Sequence, residues 1–121
     1  MKQILFILLV FISFQGFSQS VKIRRCDSLE VMKTDLVGKM TWEEAKKACE
    51  KLGDGWRLPT IEELQFMYNK RDEIGGFESY PYWSSTEDGG NYAWNFLFDD
   101  GSSSNDDKVY RGYVRAVRTF K

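Results

Sequence analysis

The sequence predicts one α+β domain behind a short apolar leader. Three observations carry that reading. Two capping boxes, Thr41 with Glu44 and Thr60 with Glu63, each open an amphipathic stretch. Past Gly75-Gly76 the helical spacing stops, and Tyr92 to Phe98 alternates with period two. Clusters of Asp, Gly and Asn, at Glu87 to Asn91 and at Asp99 to Gly101, separate the later segments as turns. Helices first and antiparallel strands afterwards define the α+β class.

The leader comes first. Lys2 precedes an unbroken apolar run, Ile4 to Ile12, and small residues follow at Gly16, Ser18 and Ser20. That order marks a secretory signal peptide over residues 1–20, cleaved after Ser18 or Ser20. The run is shorter than the about 20 apolar residues that span a bilayer. The expectation is therefore an exported protein with no membrane span after cleavage, periplasmic, at the cell surface or secreted. Export places Cys26 and Cys49 in an oxidising compartment. Two states fit: a Cys26–Cys49 disulfide, contributing roughly 3–4 kcal/mol by closing its loop, or two free thiols.

Residues 21–39 read as lead-in strands, VKIRR and LEVMK, ahead of a turn at Gly38; residues 40–121 form the body of the same domain. Thr41 starts the first helix, with Trp42, Ala45, Ala48, Cys49 and Leu52 on one face and Glu43, Lys46, Lys47, Glu50 and Lys51 on the other. The GWRLP stretch that follows is short and extended, with Trp56 and Leu58 directed to the core. Pro59 and Thr60 open the second helix, Ile61 to about Lys70, with Ile61, Leu64, Met67 and Tyr68 as its apolar stripe. Tyr80 to Thr86 leads into the strands. In Tyr92 to Phe98, Tyr92, Trp94, Phe96 and Phe98 point one way and Ala93, Asn95 and Leu97 the other. Ser102 to Lys108 reads as polar and flexible, and Tyr113 to Phe120 as a last strand.

Composition removes several function classes. The chain has 121 residues, with 17 basic and 18 acidic side chains and a net charge of −1. Such a balance gives no footprint for nucleic acid. Histidine is absent, so Ser84 and Ser85 have no imidazole base and no His-ligated zinc site exists. Cys49 falls on the apolar face of a helix, an unreactive setting for a thiol. The pairs Glu43-Glu44 and Glu62-Glu63 sit in helix first turns, where carboxylates cap and complement the dipole. No glycine-rich phosphate cradle opens a helix. Asp99, Asp100, Asn105, Asp106 and Asp107 are hard-cation donors by type, but a solvated polar loop accounts for them. The reading is of a protein that is not an enzyme and carries no cofactor or metal.

The blocks TWEEAKKAC, GWRLPTIEEL, YPYWSST, AWNFLFDDG and VRAVR, in that order, resemble the bacterial DUF1566 domain. That domain also occurs at the C-terminus of a Legionella collagen-like adhesin. It is close to the Fibrobacter major paralogous domain and more remotely similar to formylglycine-generating enzymes. The resemblance covers about Met40 to Phe120 and implies a C-type-lectin-like fold: two helices on a twisted antiparallel sheet, with long loops on one side. The family often has a cysteine where this chain has Ala116, so Cys49 lacks the partner the resemblance implies. The active-site cysteines of the formylglycine-generating enzymes and the sugar motifs of calcium-dependent lectins have no match here.

Between Glu87 and Tyr113, Asn, Asp, Ser, Gly and Tyr accumulate, the composition of adaptable binding surfaces. Asn91, Tyr92, Asn95, Asn105 and Tyr110 are the candidate ligand-binding residues. The expected function is a non-catalytic binding domain that takes a glycan or a protein ligand on this face. The alternative is a structural envelope domain without a small-molecule site.

Overall fold

The computed structural model describes residues 20–23 and 28–120. The signal segment, Ser20 excepted, and Cys26 lie outside the described residues. The elements run β1 (Ser20–Ile23), β2 (Leu29–Met32), α1 (Trp42–Lys51), α2 (Ile61–Asn69), α3 (Arg71–Ile74), β3 (Tyr82–Glu87), β4 (Tyr92–Leu97), β5 (Ser102–Asp107) and β6 (Val117–Thr119). The class is α+β, but the strands form two sheets rather than one. Each is antiparallel and three-stranded, with orders β1-β2-β6 and β3-β4-β5.

Both capping boxes close as the sequence dictates. Thr41 Oγ1 accepts from the Glu44 N–H and Glu44 Oε1 accepts from the Thr41 N–H. Thr60 and Glu63 repeat the exchange at α2. Glu63 does more: its two oxygens also take Arg57 Nη1 and Nη2 at 2.7 and 2.9 Å. This bidentate pair ties the extended GWRLP segment to the start of α2. Leu58 is buried as expected, whereas Trp56 is only partly buried, its ring covered by the Arg118 guanidinium at 4.5 Å.

The apolar side chains gather in two clusters. One joins Leu29, Val31, Leu64, Met67, Tyr82, Phe96, Phe98 and Val117. The other joins Trp42, Ala45, Cys49, Leu58, Trp83, Ala93, Val114 and Ala116. The alternation in β4 explains the division. Phe96 enters the first cluster and Ala93 the second, so both faces of this strand are covered at its centre. Tyr92 and Trp94 lie on the Phe96 face but beyond the core, and Tyr92 is exposed.

Two expectations are corrected. Ser102 to Lys108 is no flexible loop: its first six residues are β5, paired in register with β4 from Tyr92–Asp107 to Leu97–Ser102. Backbone ladder bonds hold an edge strand whatever its side chains, so a polar strand gives no apolar signal. Gly101 closes the turn with φ +78°, and a Cβ there would stand 2.6 Å from the Tyr68 ring. Nor is Tyr113 to Phe120 one strand. Only Val117–Thr119 joins a sheet, because the preceding residues exchange partners. Gly112 pairs with Met40, Tyr113 with Tyr82, and the carbonyls of Val114 and Ala116 accept from Leu36 and Met32. Residues 112–119 are thus the seam between the two sheets.

Arg115 locks that seam. It is 1% exposed, and its Nε donates to Asp35 Oδ1 at 2.7 Å. Nη1 donates to the carbonyls of Met32 and Gly75, and Nη2 to that of Gly76. The guanidinium lies 4.2 Å from the Phe77 ring centre. Asp35 Oδ2 accepts from the Tyr82 hydroxyl at 2.8 Å. Removing one member of a buried, fully bonded pair strands the other. Arg115→Met is expected to lower the unfolding free energy by about 3–5 kcal/mol, read by denaturant melts against wild type; a loss under 1 kcal/mol would contradict this account.

A second ion pair, between buried Glu30 and half-buried Arg118, sets an acid limb. Burial pushes the Glu30 carboxyl up, but hydrogen bonds from Arg118 and Ser20 outweigh it and hold the group below the ordinary glutamate range. A depressed folded-state value stabilises the fold above the unfolded value of about 4.3. That contribution is lost as pH falls through the folded value. Thermal melts from pH 7 to pH 3 should show stability falling below about pH 4.3, and Glu30→Gln should flatten that fall.

Candidate functional site

The strand order places an opening where β4, β5 and the seam meet. A cleft of about 210 Å³ is lined by Tyr80, Pro81, Trp83, Asn95, Asp106, Tyr110, Arg111 and Gly112. Trp83 and Asn95 are buried at its base, 2% and 3% exposed, while Tyr80 and Tyr110 stand at its rim, 43% and 62% exposed.

Each residue is placed by a local cause. Trp83 sits on β3 and donates from Nε1 to the Met40 carbonyl at 2.9 Å. Gly112 lies against it: an added Cβ would meet the Pro81 carbonyl oxygen at 3.1 Å and two Trp83 ring atoms at 3.2 Å. Register sets the polar base. Ala93 stands opposite Asp106 and Asn95 opposite Ser104, so Asn95 and Asp106 share a sheet face. Asn95 Nδ2 donates to Asp106 Oδ2, and Asn95 Oδ1 accepts from Ser104 Oγ at 2.9 Å.

After β5 the chain turns. Asp107 Oδ1 accepts from the Val109 N–H and the Asp107 carbonyl from the Tyr110 N–H, which brings Tyr110 to the rim. Arg111 is held at the opening by Glu44 Oε1 at 3.3 Å and by the Lys39 carbonyl. The Thr41 N–H, and then the Arg111 charge, keep the Glu44 carboxyl below its usual range. The Lys39 ammonium lies 4.1 Å from the Tyr80 ring centre, and Tyr80 meets Tyr113 edge-on.

The five sequence candidates are divided by this geometry. Asn95 and Tyr110 line the cleft. Tyr92 and Asn105 belong to the opposite sheet face by register, Asn105 donating to Asp88. Asn91 lies in the β3–β4 turn, its carbonyl accepting from the Lys108 N–H. The other six cleft residues, Tyr80, Pro81, Trp83, Asp106, Arg111 and Gly112, are not among the candidates. By residue type alone Asp106 is a hard-cation donor.

Three of the acidic side chains serve local structure. Asp100 caps Ser102, Asp107 holds the turn at Val109, and Asp106 bonds Asn95. Among the described residues no group of three or more His, Cys, Asp or Glu side chains is arranged to hold a metal ion. Cys49 carries a buried free thiol, and burial, with the nearby Glu50 charge, pushes it up to about 12. It therefore stays protonated at neutral pH. A second depression of about 190 Å³, lined by Arg71, Gly75, Gly76, Phe77, Glu78, Phe98 and Asp99, contains none of the candidates.

The described fold and its cleft define a small α+β domain with a recess beside the seam. Comparison with known families goes further. Residues 24–118 match the sequence profile of the Lcl C-terminal domain, and the chain belongs to that family. No curated protein matches the chain. Among the described residues no helix is long and apolar enough to cross a membrane.

The packing at Gly112 yields a direct test. Gly112→Ala presses a methyl group on a rigid indole and a backbone carbonyl at once. Chemical denaturation should show a loss of about 1–3 kcal/mol, accompanied by a shifted tryptophan emission because Trp83 must move. Unchanged stability and emission together would mean that the cleft base yields freely.

Proposed function

We propose that this is an exported, non-catalytic binding domain with a C-type-lectin-like fold, and that its ligand is a glycan held in the cleft beside β5. The observation that carries the reading is the convergence of Tyr80, Trp83 and Tyr110 with the Asn95–Asp106 pair in one recess. A concave site with aromatic walls and a few fixed polar groups suits a sugar, whose ring has an apolar face and a polar edge. The sequence supports a role without catalysis: no histidine is present, and Cys49, deep in the second cluster, is held as a thiol. The apolar run behind Lys2 supports export.

The test is a glycan array probed with the purified protein, with calcium and again with EDTA. Binding should occur and survive EDTA, because Asp100 and Asp107 are engaged in turns and Asp106 in the Asn95 contact. Tyr110→Ala, an exposed change, should weaken that binding about tenfold, the equivalent of about 1.4 kcal/mol. Binding abolished by EDTA would sink the metal-free reading. No binding under either condition would favour the structural envelope role.

A further inference from the structure

We infer that the cleft takes an uncharged pyranose unit and that the Asp106 carboxylate selects it by receiving two sugar hydroxyls. This rests on the glycan reading of the cleft and narrows it to a chemical class.

Asp106 is the acceptor the site has to spare. One of its oxygens accepts from Asn95 Nδ2. No lysine or arginine pairs with it among the described residues. A carboxylate offers about four lone-pair positions, so capacity remains for donors from outside. Hydroxyl-to-carboxylate bonds are charge-assisted and short, and they discriminate strongly against a ligand that cannot donate.

The donors are present as well. Among the described residues Arg111 is bonded through Nη1 alone, to Glu44 and the Lys39 carbonyl. Its remaining N–H groups are available to hydroxyl or ring oxygens, and so is the second N–H of the Asn95 amide. Charge around the opening balances: Lys39 and Arg111 against Glu44 and Asp106. Arg111 is already paired with Glu44, whereas Asp106 has no cationic partner among the described residues, so an anionic sugar would set its charge against an uncompensated carboxylate. A neutral polyol uses both donors and acceptors and repels neither. Tyr80 and Tyr110 supply rings for the C–H face of the sugar, and about 210 Å³ suits one ring, not several.

The experiment titrates the purified protein with methyl glucoside, methyl galactoside and methyl mannoside, and with their 6-sulfates and uronates. Tryptophan fluorescence is the readout, since Trp83 forms the base. At least one neutral glycoside should saturate, with its charged counterparts at least about tenfold weaker. Asp106→Asn keeps the shape and removes the charge; it should weaken the neutral glycoside about tenfold, with the circular dichroism spectrum unchanged. Glu87→Gln, away from the cleft, should bind like wild type. The neutral-against-charged comparison in wild type stands even if the Asp106 variant folds poorly. Charged glycosides binding as well as neutral ones, or an Asp106→Asn protein with undiminished affinity, would overturn the inference and leave the glycan reading intact. Failure of every glycoside, with glycan-array binding also absent, would overturn both.

Discussion

The fold depends on one buried guanidinium. Small domains bury modest cores, and here the apolar side chains are divided into two clusters with irregular chain between the sheets. Backbone carbonyls in such chain need donors, because an unpaired buried acceptor is costly. Arg115 supplies them to Met32, Gly75 and Gly76 at once, while Asp35 balances its charge and Tyr82 completes the carboxylate. Burial, together with that bond to Asp35, pushes the Tyr82 phenol well above its ordinary value, so the hydroxyl remains a donor. One side chain thereby joins the lead-in segment, the loop after α3, the start of β3 and the seam.

The cleft inherits its shape from that joint. Because Arg115 fixes the seam, Gly112 can pair with Met40 on one side while the neighbouring Tyr113 meets Tyr82 on the other. The close approach of Gly112 to Trp83 then sets the base of the recess, and the ladder between β4 and β5 sets the Asn95–Asp106 pair beside it. The aromatic and polar halves of the site come from segments that the seam holds together.

Much of this was legible in the chain. Both helices announce themselves through Thr41 with Glu44 and Thr60 with Glu63, because capping is local chemistry over three residues. The alternation from Tyr92 to Phe98 marks β4, and Asn95 and Tyr110 were selected from loop composition. Arg115 was not legible as a buried hub. A charged residue in VRAVR reads as exposed, and its partner Asp35 lies 80 residues away. β5 is not legible because SSSNDD has no apolar alternation, and a strand held by its neighbour's backbone needs none. Asp106 fell to the same cause: its meaning comes from register with β4. Tyr92 and Asn105 share the composition of the cleft residues but occupy the other face, which only the register decides.

β5 contributes to neither apolar cluster, and nor does the turn that carries Tyr110. Asp106, Tyr110 and Arg111 therefore face the cleft from a segment that holds neither core, while Trp83 and Gly112 serve the packing as well as the cleft. Mutational tolerance follows that partition. Replacements of Asp106, Tyr110 and Arg111 can reshape the recess while the Arg115 joint and both cores are untouched. A lineage of such domains can diverge in what it recognises without first acquiring surplus stability, as long as the changes fall at these three positions rather than at Trp83 or Gly112.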